Sequence, residues 1–113
     1  MDIREIIGSE MVSAFCRKHH IRQLAVFGSF IRNDFTPESD IDILVQFDPE
    51  HIPGLAFFSM QSELSGILSR KVDLYTMAFL SPEIQEEVKN KAVIIYQDEH
   101  HRTNKQRQAK IPN

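Results

Sequence analysis

Along this chain the spacing of hydrophobic and polar residues changes period several times, and each change marks an element. Ile3, Ile6, Ile7, Met11, Ala14 and Phe15 recur at helical spacing, which predicts an amphipathic helix from Ile3 to His19. Leu24 to Phe27 is a short apolar run closed by Gly28 and reads as a buried strand. Ser29 stands where an N-cap would open a short helix over Phe30 to Arg32, and Asn33 falls at its left-handed stop. Thr36-Pro37-Glu38-Ser39 has turn chemistry, and Asp40 to Phe47 alternates as a second strand that Asp48-Pro49 ends. Leu55, Phe58, Leu64 and Leu68 predict a helix over Leu55 to Leu68, and Lys71 to Thr76 reads as a third strand. Ser81-Pro82-Glu83 sets a capping serine before a first-turn proline and an acid, opening a helix that runs to Asn90. Ala92 to Tyr96 is a last short strand. The order αβαβαβαβ, without internal repeat or second domain, predicts an α/β (α+β) fold with a small mixed sheet of about four strands flanked by helices. Residues 1–97 are expected to form the domain and residues 98–113 a polar, basic tail.

The second strand opens with two acids. Strand side chains alternate faces, so Ile41, Ile43, Val45 and Phe47 share the face that builds the core. Asp40 and Asp42 then share the other face, about 6.6 Å apart along the strand. In Lys71-Val72-Asp73-Leu74-Tyr75 the same alternation turns Val72 and Leu74 inward and Asp73 outward. If the third strand lies beside the second, three carboxylates meet on one patch. Three close anions repel one another and need positive charge among them. Hard oxygen ligands suit Mg²⁺, which keeps waters and borrows oxygens from substrate phosphates, and two such ions can stabilise both the attacking and the leaving oxygen of a displacement at phosphorus.

The Gly28-Ser29 bend serves the same chemistry. Backbone N–H groups between a strand end and a helix start attract phosphate, and glycine lets the backbone approach a ligand closely. Ser29 can cap the helix or donate its hydroxyl to a phosphate oxygen.

Composition narrows the class. The chain has 113 residues, 42% hydrophobic and 26% charged, as in one ordinary globular domain. A single cysteine, Cys16, excludes an internal disulfide and fits a reducing, cytoplasmic setting; it reads as a small core or interface residue. No long apolar region follows the N-terminus and no run approaches the ~20 residues that span a membrane. A net charge of −3 argues against sequence-blind binding to nucleic acid. Four of the 13 cations (Arg102, Lys105, Arg107 and Lys110) and none of the 16 acids lie beyond His100. That end reads as a solvated tail, or as a basic arm for a phosphate or an acidic partner. His19-His20 and His100-His101 are adjacent pairs that do not share a helix face, so no metal site is expected there, and Phe57 and Phe58 are expected in the core.

Gly28-Ser29, ten further residues, Asp40-x-Asp42 and the later strand acid Asp73 together resemble the nucleotidyltransferase superfamily of DNA polymerase beta. The likeness runs from Leu24 to Tyr96, and the small size is similar to the minimal nucleotidyltransferases, the antitoxin half of HEPN/MNT toxin–antitoxin pairs. The resemblance implies that ATP binds with Mg²⁺, two ions being usual, and that a hydroxyl attacks the α-phosphorus and releases pyrophosphate. It implies that Gly28 and Ser29 hold the distal phosphates and that Asp40 and Asp42 hold the metals. Asp73 would bind the metal on the acceptor side and help deprotonate the hydroxyl. In the antitoxin branch the implied acceptor is a tyrosine of the HEPN toxin, in a hetero-oligomer with it. Two alternatives are a binding-only antitoxin and a transferase for a small-molecule hydroxyl; relatives of the latter kind generally carry an added domain. After the serine the family commonly has a small residue, Arg and Gly; here Ile31-Arg32-Asn33 keeps the arginine, which could approach phosphates or pack its stem.

Overall fold

The computed structural model describes residues 8–30, 36 and 38–98. The start of the first predicted helix, Arg32, Asn33 and residues 99–113 of the basic tail therefore lie outside the described residues.

Helix α1 covers Glu10–Lys18. Within the described residues it does not continue back through Gly8 and Ser9 as the periodicity predicts. Ser9 is extended, and glycine followed by serine favours a helix boundary over a helix interior. Strand β1 is Ile21–Phe27, three residues longer than the apolar run, because Ile21 and Gln23 also pair with β2, with a register shift between them at Arg22. Strand β2 is Ile41–Phe47, helix α2 is Ala56–Leu68, strand β3 is Val72–Tyr75, helix α3 is Pro82–Lys91 and strand β4 is Val93–Gln97. The backbone N–H of Ile84 donates to Ser81 Oγ at 3.3 Å, so Ser81 caps α3 as its position predicts.

The sheet runs β3-β2-β1-β4. β1 pairs antiparallel with β2 and with β4, while β2 and β3 are parallel, joined through α2. One sheet face carries Leu24, Val26, Ile41, Ile43, Val45, Phe47, Val72 and Leu74 against Val12, Phe15 and Cys16 of α1 and Phe57, Met60, Leu64 and Leu68 of α2. Burial pushes the Cys16 thiol up to about 12, so it packs as an inert apolar group. The helical phase of α2 differs from the predicted one. Positions 57, 60, 64 and 68 face the core, whereas Leu55 and Phe58 are 85% and 65% exposed. In α1, likewise, Val12, Phe15 and Cys16 are buried and Met11 is exposed. The opposite sheet face is covered only in part, by Leu80 and α3's Val88 over Phe27 and Leu44.

Edge strand β3 is secured by side chains. The N–H of Leu74 donates to Gln61 Oε1 at 2.8 Å, and that of Val72 to Ser65 Oγ at 2.9 Å. Helix α2 thus takes up donors that an edge strand would otherwise present to water. His19 accompanies Lys18 in contacting Glu63 of α2, at 2.9 and 3.0 Å. His20 instead stacks on His51, with ring centroids 3.9 Å apart. Among the described residues no helix is long and apolar enough to cross a membrane.

Candidate active site

The partly covered sheet face holds the acids. The register pairs Asp42 with Asp73 and Ile41 with Val72, so Asp42 and Asp73 stand side by side on neighbouring parallel strands, pointing away from the main core. Asp40 lies just ahead of β2, where the N–H of Ile41 donates to the Lys71 carbonyl at 2.9 Å. The turn that delivers it is tied twice over. Ser39 N–H donates to the Thr36 carbonyl at 3.0 Å, and the Arg70 guanidinium reaches the Thr36 and Ser39 carbonyls at 2.7 and 3.0 Å.

Gly28 closes the site on the β1 side. Phe27 is the register partner of Asp42, and the next residue, Gly28, has φ +77, in the left-handed region that glycine tolerates best. A Cβ built there would lie 2.4 Å from Asp42 Oδ2. The acid therefore occupies the space that any other side chain at 28 would claim. Among the described residues Ser29 sits inside a 3-10 turn, Gly28–Phe30. That differs from the expected cap of a helix starting at Phe30. With its backbone in the turn, its hydroxyl is half-exposed beside the strand end.

The expected meeting of all three acids at one point is incomplete. Among the described residues no three His, Cys, Asp or Glu side chains are drawn together tightly enough to cage a metal. Asp40 instead leans toward Lys71 Nζ, 3.5 Å away. All three acids still stand at one end of the sheet, Asp42 paired with Asp73 and Asp40 just ahead of β2. Their fields nevertheless overlap at Tyr75. Burial pushes its hydroxyl above the ordinary tyrosine range, the charges of Asp42 and Asp73 push the same way, and so do its hydrogen bond to Asp42 and the charge of Asp40. Hard carboxylate oxygens are the donor type that a divalent cation takes, and Asp42 and Asp73 present a pair of them on neighbouring strands.

Residue pattern alone does not single out Tyr75 or Arg70. Tyr75 has one signal: it lies two residues after Asp73, hence on the same strand face. Arg70 has none, because it acts on a turn more than 30 residues away. A separate cleft of about 420 Å³ is lined by Gln23, Leu44, Gln46, Ile52, Thr76 and Met77 among others.

The polymerase beta nucleotidyltransferase family model matches residues 10–101. The chain belongs to this family. A Methanocaldococcus jannaschii relative named "Putative protein adenylyltransferase MJ0128" is 37% identical over 81 residues, covering 69% of this chain and 80% of its own. "Protein adenylyltransferase MntA" of Thermococcus cleftensis is 36% identical over 76 residues, covering 66% and 75%. Among solved structures, a toxin–antitoxin complex with AMP-PNP aligns at a TM-score of 0.64 and 19% identity, over 81% of this chain and 75% of the other. A complex of the tri-AMPylated Shewanella oneidensis HEPN toxin with its MNT antitoxin aligns at 0.57 and 14%, over 90% and 78%. These two likenesses show a shared fold.

Proposed function

We propose that this chain is the antitoxin of a HEPN/MNT pair, a cytoplasmic, Mg²⁺-dependent enzyme that moves AMP from ATP to a tyrosine hydroxyl of its HEPN partner. The observation that carries this reading is the pairing of Asp42 with Asp73 while Asp42 Oδ2 packs on the bare backbone of Gly28. The protein adenylyltransferase relatives and the toxin–antitoxin structures support the substrate and the partner.

Asp40, Asp42 and Asp73 are the residues that would hold Mg²⁺, which when bound neutralises phosphate charge and screens the three carboxylates from one another. Gly28 and Ser29 are the residues that would meet the distal phosphates, the Ser29 hydroxyl donating to one of their oxygens. We assign Arg32, which lies outside the described residues, to the same phosphates. Asp73 takes the proton from the acceptor hydroxyl. The tyrosine oxygen then bonds to the α-phosphorus, the bond from that phosphorus to the bridging oxygen breaks, and pyrophosphate leaves. The protein's contribution is mainly positioning and charge compensation.

The test is to incubate the chain with ATP, Mg²⁺ and the HEPN protein encoded beside it, then weigh that partner. Wild type should add whole AMP units, and Asp40→Ala should add none. A partner whose mass stays unchanged with both would refute the reading. An Asp42→Ala variant that still protects cells at normal expression would favour neutralisation by binding alone.

A further inference from the structure

Asp42 is held from two directions. Its Oδ2 lies against the space above Gly28, and its Oδ1 accepts a hydrogen bond from the Tyr75 hydroxyl at 3.4 Å. That separation is at the long end for a hydrogen bond between two oxygens. The phenol is itself anchored. Its ring packs edge-on against Phe27 with centroids 5.5 Å apart, and it belongs to the apolar group of Leu44, Leu80 and Val88. Tyr75 pairs in register with Leu44, so its hydroxyl reaches back along the shared face to the acid two residues before Leu44.

We propose that Tyr75 is a positioning residue for the reaction, its hydroxyl setting the orientation in which Asp42 meets the cation and the nucleotide. This rests on the reading of Asp42 as a metal-holding acid. A carboxylate rotates about its terminal bond and can offer either oxygen. A donor fixed on Oδ1 leaves Oδ2 turned toward the Gly28 bend, the side from which the triphosphate would approach. Partners of this kind orient metal-holding groups without touching the metal, and removing one typically costs about 10–100-fold in metal affinity or activity. The anchoring also separates two roles of one side chain, since the ring packs and only the oxygen steers.

Tyr75→Phe isolates the oxygen, because phenylalanine keeps the ring. The probes are Mn²⁺, in place of Mg²⁺, and AMP-PNP, added to the isolated chain. Free Mn²⁺ is read by electron paramagnetic resonance and folding by the thermal midpoint. Tyr75→Phe should bind Mn²⁺ about tenfold or more weakly while melting within a few degrees of wild type. Equal Mn²⁺ affinity in the two proteins would overturn the inference and leave the proposed reaction standing. A wild type that takes up no Mn²⁺ would overturn both. AMP attached to Tyr75 itself after incubation with ATP and Mg²⁺ would also overturn it, because the hydroxyl would then be an acceptor.

Discussion

Replacing Gly28 with alanine adds one methyl group at the point where β1 hands over to the site. Two costs follow, and they fall on different observables. The first is conformational. With φ at +77, Gly28 occupies backbone space that costs an alanine about 1–2 kcal/mol. At about 4–8 °C per kcal/mol for a domain of this size, the melting midpoint should fall by roughly 4–16 °C. The second cost is positional. The new Cβ would stand 2.4 Å from Asp42 Oδ2, where ordinary contact begins at 3.4 Å, so the carboxylate must retreat by about 1 Å. A displacement of that size at a reacting centre is worth on the order of 100-fold in rate. The assay is the initial rate of AMP addition to the HEPN partner, followed by intact mass, beside a thermal melt of the same preparation. The expected result is a folded protein with a modestly lower midpoint and a rate about two orders of magnitude down. A lowered midpoint with a rate within about threefold of wild type would refute the claim that Gly28 is needed to seat Asp42.

Gln61→Ala or Ser65→Ala removes the acceptor for a β3 backbone N–H, at 2.8 and 2.9 Å respectively. Each should cost about 1–3 kcal/mol in chemical denaturation and speed amide exchange at Leu74 or Val72; unchanged exchange would show that β3 does not depend on these side chains. Burial alone would raise the pKa of Glu63, but hydrogen bonds from His19 and Lys18 outweigh it and hold the carboxyl below the ordinary glutamate range. A group depressed on folding stabilises above its unfolded value, and that stability is lost as pH falls through its folded value. Stability of the wild type should therefore drop more steeply below about pH 4.5 than that of Glu63→Gln, and parallel pH profiles would contradict the pairing.

Several elements were legible because they depend on neighbours in sequence. Ser81-Pro82-Glu83 opens a helix, and the alternation in Ile41-Asp42-Ile43 puts the aliphatics in the core and the acid on the other face. Other readings failed where two local signals competed or where distant partners decided. Leu55 and Phe58 share helical spacing with Leu64 and Leu68, yet the sheet meets the stripe through Phe57 and Met60. Apolar periodicity carried the first predicted helix through Gly8-Ser9, where backbone preference favours a boundary. Ser29 is expected just ahead of a short helix, and the described residues place it within a 3-10 turn that begins at Gly28.

By itself the sequence determined which residues alternate, which acids leave the core and where glycine permits a left-handed bend, because strand alternation and backbone sterics act over a few residues. Tertiary structure decided the rest. Residues 31 apart, Asp42 and Asp73, became neighbours only because α2 carries β3 back into parallel pairing with β2. Arg70 reached its turn and Tyr75 its acid by the same long-range closure. Such contacts form where buried surface and satisfied backbone donors offset the entropy of bringing distant segments together, and no local pattern encodes that balance.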